Sequence, residues 1–259
     1  MNQWYFNPIL AQIGPLQIHW YGVMYALAFL AGYFYLHHSR QGKSLALTED
    51  QKDLFLVYVI AGVLIGGRVG YILFYNLPYY LQNPLKIFAV WEGGMSFHGG
   101  LLAVMLAIIL FHKKYKTQLL ELCDAIAAIT PLGIFFGRIG NFINGELYGR
   151  IATQFCLYFP ADPQNCRYPS QLFEAFFEGF LLFTILFLIR KKNPRPGITS
   201  CAFLFFYGIF RIGVEFFREP DVQIGFLPGG ITEGQLLSFG MIVMSFCLWY
   251  WLVRKPNKS

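Results

Sequence analysis

Seven apolar runs separated by polar connections organise this chain, at about 18–38, 54–75, 95–112, 118–138, 169–189, 198–217 and 232–252. Each is close to the ~20 residues that a helix, rising 1.5 Å per residue, needs to cross ~30 Å of hydrocarbon. The pattern predicts an all-α integral membrane protein, with seven transmembrane helices in one polytopic domain over residues 1–259. The first twenty residues hold no Lys or Arg, so they lack the basic start of a cleaved signal peptide, and Tyr21 onward reads as the first span.

The connections are of two kinds. Arg40, Lys43 and Lys52 follow the first span, and Lys113, Lys114 and Lys116 the third. Arg190, Lys191, Lys192 and Arg195 follow the fifth, and Arg254, Lys255 and Lys258 the seventh. The opposite connections carry chiefly Lys86, Arg150 and Arg167. Basic loops stay inside, so the N-terminus is expected outside and the C-terminus in the cytoplasm. On the outer side, residues 76–94 hold Pro78, Tyr79, Tyr80, Pro84, Phe88 and Trp91, which reads as an interfacial arm. Residues 139–168 form the longest connection and are expected to make a small external cap.

Composition supports the membrane reading. The chain is 56% hydrophobic and 13% charged, with a mean hydropathy of +0.48. A soluble domain carries about 25% charged residues. The net charge of +6 raises the question of nucleic acid, but the basic residues sit where they orient spans, so no nucleic-acid partner is expected. Cys123, Cys156, Cys166, Cys201 and Cys247 match no metal-ligand spacing. Cys156 and Cys166 share the external loop, where they form either a disulfide or two free thiols.

Ionisable groups inside the spans carry the functional signal. Arg68 follows two glycines, His98 lies within Gly93-Gly94-Met95-Ser96-Phe97-His98-Gly99-Gly100, and Arg138 closes the fourth span. Arg211, Glu215 and Arg218 share one helical face, with Tyr207 a turn earlier. An Arg at mid-bilayer costs about 2.5–3.5 kcal/mol, so such groups must pair or line a polar cavity. Arg68 lies 14 residues above the cytoplasmic start of its span and Arg211 lies 13 above its own, which places both roughly 20 Å up. Tyr21, His98 and Arg138 are near outer ends. Together they predict an outward-facing site. Each group has a plain structural reading as well: Arg68 as partner of Glu215 or of a carbonyl, Glu215 as an ion-pair member, His98 as a satisfied structural group, Tyr21 as interfacial aromatic. Glu174 and Glu178, inside the fifth span, have no evident partner in the sequence.

The richest stretch is Gly137-Arg138-Ile139-Gly140-Asn141-Phe142-Ile143-Asn144-Gly145-Glu146-Leu147-Tyr148-Gly149-Arg150. Gly lets the backbone turn and approach a ligand, Arg offers a planar fork for phosphate oxygens, and Asn adds neutral donors. The chemistry is that of phosphate binding at the end of a membrane helix.

This signature closely resembles that of the prolipoprotein diacylglyceryl transferases. The likeness extends to His19-Trp20-Tyr21-Gly22, Gly66-Gly67-Arg68, the Gly94-to-Gly100 run, Pro169-Ser170-Gln171-Leu172 and Phe210-Arg211 through Arg218. Tyr148 and Tyr168 depart from it, standing where Trp and His are expected. The resemblance implies transfer of the diacylglyceryl group of phosphatidylglycerol to the lipobox cysteine thiol of a preprolipoprotein, releasing glycerol phosphate. It implies no cofactor and no metal, and a monomer in the bacterial inner membrane. It points to His98, Arg138, Arg211, Tyr21, Glu146 and Glu215 as catalytic. Arg138, Asn141, Arg211, Gly149, Arg68 and Tyr21 are the expected phosphatidylglycerol contacts. The competing expectation is an outward-facing anion transporter or channel with Arg68, Arg138 and Arg211 as its selectivity groups.

Overall fold

The structure is a computed structural model that describes residues 6–14, 16–90, 93–220 and 225–254. Of the residues that shaped the topology reading, Trp91, Lys255 and Lys258 lie outside these. In chain order come strands β1 (Ile9–Ile13) and β2 (Leu16–His19), then helices α1 (Trp20–His38), α2 (Arg40–Lys43) and α3 (Glu49–Ala61). A π-helical turn, Gly62–Gly66, joins α3 to α4 (Gly67–Tyr75). Next are α5 (Leu77–Gln82), a 3₁₀ turn at Pro84–Phe88, α6 (Phe97–Tyr115) and α7 (Leu119–Asn144). Strands β3 (Leu157–Phe159) and β4 (Asp162–Arg167) precede α8 (Ser170–Glu174), which passes through a second π-helical turn, Ala175–Leu181, into α9 (Leu182–Lys191). The chain ends with α10 (Ile198–Glu215) and α11 (Glu233–Arg254).

Among the described residues, six helical segments are long and apolar enough to cross a membrane: Glu49–Tyr75, Phe97–Tyr115, Leu119–Asn144, Ser170–Lys191, Ile198–Glu215 and Glu233–Arg254. Between 17% and 33% of each apolar window is buried, so most of this surface faces outward, as lipid allows and water does not. The 19-residue α1 covers the expected first span. It is not among the six segments above. The largest difference from an expected boundary is at the end of the fourth span. Helix α7 continues to Asn144 instead of ending near 138, so the first half of the signature is helical and the turn comes at Gly145, where φ is 69°. Buried Gly140 is the reason: it faces Tyr21 and Met24 of α1 and serves packing, not a turn.

Caps fix the helix ends. Thr48 and Gln51 bond reciprocally at the start of α3, and Thr232 and Gln235 do so at the start of α11. The Ser96 hydroxyl accepts from Gly99 N–H to open α6. Asp124, buried on α7, caps α10 from a distance: it accepts from Gly197 N–H and Ser200 N–H, each at 2.8 Å, and from the Ser200 hydroxyl at 2.7 Å.

The described residues group into two compact units. The one from Leu36 to Cys123 is built on α3, α4 and α6. Gly70 and Gly99 meet there so closely that a Cβ on Gly70 would stand 2.7 Å from the Gly99 Cα. Phe111 packs on Phe55 and Tyr58. The other unit joins the residues up to Tyr35 with those from Asp124 onward. In it α10 packs along α11, and the Ser245 hydroxyl donates to the Cys201 carbonyl at 2.7 Å. It also holds the β3–β4 hairpin, where Cys156 and Cys166 are bridged with Cα atoms 5.3 Å apart.

Candidate active site

The site is organised by a residue the sequence left unexplained. Helix α8 is pinned to the signature: Gln171 Nε2 donates to the Glu146 carbonyl at 2.6 Å, and the Ser170 hydroxyl to the Leu147 carbonyl at 3.3 Å. Glu174 closes this helix, fully buried. Three guanidinium groups converge on its Oε2: Arg138 Nη2 at 2.9 Å, Arg211 Nη1 at 2.8 Å and Arg218 Nη1 at 2.8 Å. The π-helical turn begins at the next residue. Turns of this kind are rare and recur at functional sites. Glu178, on that turn, is also fully buried, with Oε1 3.5 Å from Arg211 Nη1. Glu215 supplies the third carboxylate, with Oε2 3.2 Å from Arg211 Nε and 3.7 Å from Arg218 Nε.

Three arginines thus face three carboxylates. Buried charges cost several kcal/mol each in lost hydration, and this reciprocal pairing is what makes the cluster tolerable within apolar helices. The carboxylates lie deepest. The Arg138, Arg211 and Arg218 side chains keep 22%, 14% and 15% of their surface accessible, against 0% for Glu174.

The signature extends this cluster. Arg138 Nη1 donates to Asn141 Oδ1 at 3.2 Å, one turn along α7. The Asn141 amide donates to Glu146 Oε1 at 2.8 Å, and the Asn144 amide to the same oxygen at 3.3 Å. Glu146 therefore acts on Arg138 through Asn141. Tyr21 stands against Gly140, where a Cβ would be 3.0 Å from its ring, and its hydroxyl is 3.3 Å from that of Tyr25.

Gly149 and Arg150 tie the signature to the end of α10. Gly149 N–H donates to the Tyr168 carbonyl at 2.8 Å and Arg150 N–H to the Phe217 carbonyl at 2.9 Å. A Cβ on Gly149 would collide with the Phe217 carbonyl, so only glycine fits. The Arg150 side chain donates to the carbonyls of Arg218 and Glu215. Beside it, Arg167 pairs with Asp162 at 2.7 Å and Glu219 at 3.0 Å. Loss of hydration is the largest influence on the Asp162 carboxyl and raises its pKa, but bonds from Arg167 and Asn165 outweigh it and hold the group below the usual range.

This unit therefore brings Arg138 and Arg211 together on Glu174, with Glu215 joined through Arg211, Asn141 through Arg138 and Glu146 through Asn141. Gly149 is joined through its bridge to Arg218, and Tyr21 through Gly140. Arg68 and His98 belong to the other unit. Arg68 is buried and commits all five N–H donors to carbonyls, those of Lys86, Ile87, Ala89, Gly93 and Gly94. Of the two partners expected for it, the carbonyl is the one found; Arg68 ties down the segment after α4. His98 is exposed in the first turn of α6, with its ring edge-on to Phe97. Sequence reasoning missed Glu174 and Glu178 as partners of Arg138 and Arg211, and Arg150 as a clamp. Charge counting held the clue to the first pair: four arginines, Arg68, Arg138, Arg211 and Arg218, lay in or near apolar spans, and only Glu215 within a span had been set against them.

Fold and site define a multi-pass membrane protein whose apolar helices enclose an arginine–carboxylate cluster. The family model described as prolipoprotein diacylglyceryl transferase matches residues 8–251. A phosphatidylglycerol–prolipoprotein diacylglyceryl transferase of Geobacter sulfurreducens is 47% identical over 245 residues, 94% of each chain. One from Azospirillum brasilense is 48% identical over 261 aligned positions, covering 97% of this chain and 95% of its own, and one from Rickettsia bellii 46% over 246, covering 93% and 94%. The chain belongs to the prolipoprotein diacylglyceryl transferase family.

Proposed function

We infer that the chain transfers the diacylglyceryl group of phosphatidylglycerol to the lipobox cysteine thiol of a preprolipoprotein. The relatives' names support the reaction, and the convergence of Arg138, Arg211 and Arg218 is the observation that carries its chemistry. The thiol sulfur attacks the glyceryl carbon that bears the phosphate ester. A carbon–sulfur bond forms, the carbon–oxygen bond breaks, and glycerol phosphate leaves with the electron pair. Arg138 and Arg211 bind the phosphate and stabilise the charge that gathers on it, while Asn141 and Tyr21 orient the headgroup. Glu146 and Glu215 position these donors, and Gly149 keeps the backbone close. His98 is assigned as acceptor of the thiol proton on its motif alone. Arg68 is assigned to holding the arm; its committed donors speak against a direct lipid contact.

The resemblance and the basic clusters support the proposed setting: a monomer in the bacterial inner membrane as one polytopic domain, with α1 as the first of seven spans. The N-terminus is periplasmic and the C-terminus cytoplasmic. Residues 76–94 form an interfacial arm, and the hairpin region is a periplasmic cap. Both substrates are amphiphiles that reach such a site laterally from the membrane. The test is purified protein with phosphatidylglycerol micelles and a lipobox peptide. The reading requires a diacylglyceryl mass gain on the peptide with release of glycerol phosphate. Anion flux through proteoliposomes without either product would contradict it.

A further inference from the structure

Glu174 raises a question that the phosphate reading does not answer. Three cations on one side of a lipid headgroup repel one another, and a flexible arginine side chain has many rotamers in which to escape. Yet Arg138 from α7, Arg211 from α10 and Arg218 beyond the end of α10 all place one nitrogen within 2.9 Å of a single oxygen. That oxygen belongs to a fully buried side chain on a helix locked to the signature by Ser170 and Gln171. Among the described residues, the other oxygen of Glu174 has no hydrogen-bond partner. The carboxylate is therefore not a generic ion-pair member. Its geometry is committed to one point at which three arginines meet.

We propose that Glu174 is a positioning residue of the active site, holding Arg138, Arg211 and Arg218 in register so that their outer portions form one phosphate-binding surface. The inference rests on the phosphate reading of this cluster. Glu215 cannot substitute for it, because Glu215 faces the Nε atoms of Arg211 and Arg218 only, at 3.2 and 3.7 Å, and has no ion pair with Arg138. Glu178 has an ion pair with Arg211 alone, at 3.5 Å. Among the described residues, Glu174 is the one acid paired with all three arginines. It touches no reacting atom in this scheme. Its effect is carried by where the guanidinium groups stand, and a displacement of 1 Å in a catalytic group can cost about 100-fold in rate.

The test uses full-length protein in detergent with phosphatidylglycerol micelles and a lipobox peptide, and separates kcat from the KM for lipid. Glu174→Gln keeps the shape and removes the charge. It should lower kcat about 100-fold while the KM for lipid stays within about threefold, because net positive charge still attracts the anionic headgroup. Glu174→Asp shortens the side chain by one bond, and should recover about tenfold of that loss. A residue needed only for folding would reduce the yield of folded protein and leave kcat per folded molecule unchanged; that outcome overturns the proposal. Should Glu174→Gln not fold, the Asp variant alone decides, and wild-type kcat in it overturns the proposal. Arg138→Lys, run in parallel, separates the two levels. Full activity in both Arg138→Lys and Glu174→Gln removes the phosphate reading itself, whereas a slow Arg138→Lys beside a normal Glu174→Gln removes only the role of Glu174.

Discussion

The Arg150 guanidinium donates from Nη2 to the backbone carbonyl of Glu215 at 3.2 Å, joining the last residue of the glycine-rich signature to the last residue of α10. A second bond, from Nε to the Arg218 carbonyl at 2.7 Å, completes the clamp. Terminal helix carbonyls have no partner within the helix, and a cation there is favoured by the helix dipole as well. Arg150 thereby fixes the backbone that carries Arg211, Glu215 and Arg218.

Arg150→Ala should therefore destabilise the protein by about 1–3 kcal/mol, the cost of leaving such carbonyls unsatisfied. It should also lower turnover with a smaller effect on the KM for lipid. Thermal unfolding in detergent and steady-state kinetics check the two parts. An unchanged melting temperature would mean that water replaces the clamp without loss.

At the other end of α10, Asp124 makes three bonds to Gly197 and Ser200. Asp124→Ala should destabilise by about 1–3 kcal/mol, because a helix cap is lost and buried donors are stranded. The kcat of the folded variant should stay near wild type, since the arginine cluster lies at the opposite end of the helix. A large fall in kcat with normal stability would show that the cap reaches the chemistry.

The Cys156–Cys166 bridge closes a short loop, with a sequence separation of 10. In the chain-entropy account such a loop stabilises by up to about 3 kcal/mol. Dithiothreitol, or Cys156→Ser with Cys166→Ser, should lower the melting temperature by equal amounts. A reductant effect that persists in the double variant would place the sensitivity elsewhere.

Acid should weaken the same hairpin. Asp162 has a pKa held below its unfolded value, so its contribution is present above that value, about 4, and is lost as pH falls through the lower folded one. Between pH 5 and pH 3 the wild-type melting temperature should fall more steeply than that of Asp162→Asn. Parallel curves would show that the Arg167 pair contributes nothing.

Much of this was legible from residue order, and the exceptions share a cause. Apolar runs of membrane-spanning length marked the helices, because hydrocarbon thickness sets a single scale. Arg138, Asn141 and Glu146 stood out because glycine punctuation set them apart. Helix α7 was read six residues short, since Gly140 and Gly145 look alike in sequence, yet one packs against Tyr21 and the other turns. Glu174 and Glu178 stayed unexplained because their partner Arg211 lies 37 and 33 residues away, on another helix. Arg68 was legible as a buried cation but not as a loop anchor. Carbonyl partners leave no mark in side-chain chemistry. The same holds for Arg150, whose partners are also backbone.

The central claim is that leaving-group stabilisation by arginine dominates the reaction. A thiol of pKa about 8.5 is already a few per cent thiolate near neutral pH, so a base such as His98 gains at most some tens of fold, about 1.5–2 kcal/mol. Removing one preorganised donor from developing charge costs about 2.7–4 kcal/mol, and lysine does not reproduce the two-pronged contact of Arg138. The direct measurement is kcat for Arg138→Lys and His98→Asn, both folded and saturated with phosphatidylglycerol, on one lipobox peptide. Arg138→Lys should lose about 100-fold or more, and His98→Asn no more than some tens of fold. A near-normal Arg138→Lys beside an inactive His98→Asn would contradict the account and make thiol activation the dominant step.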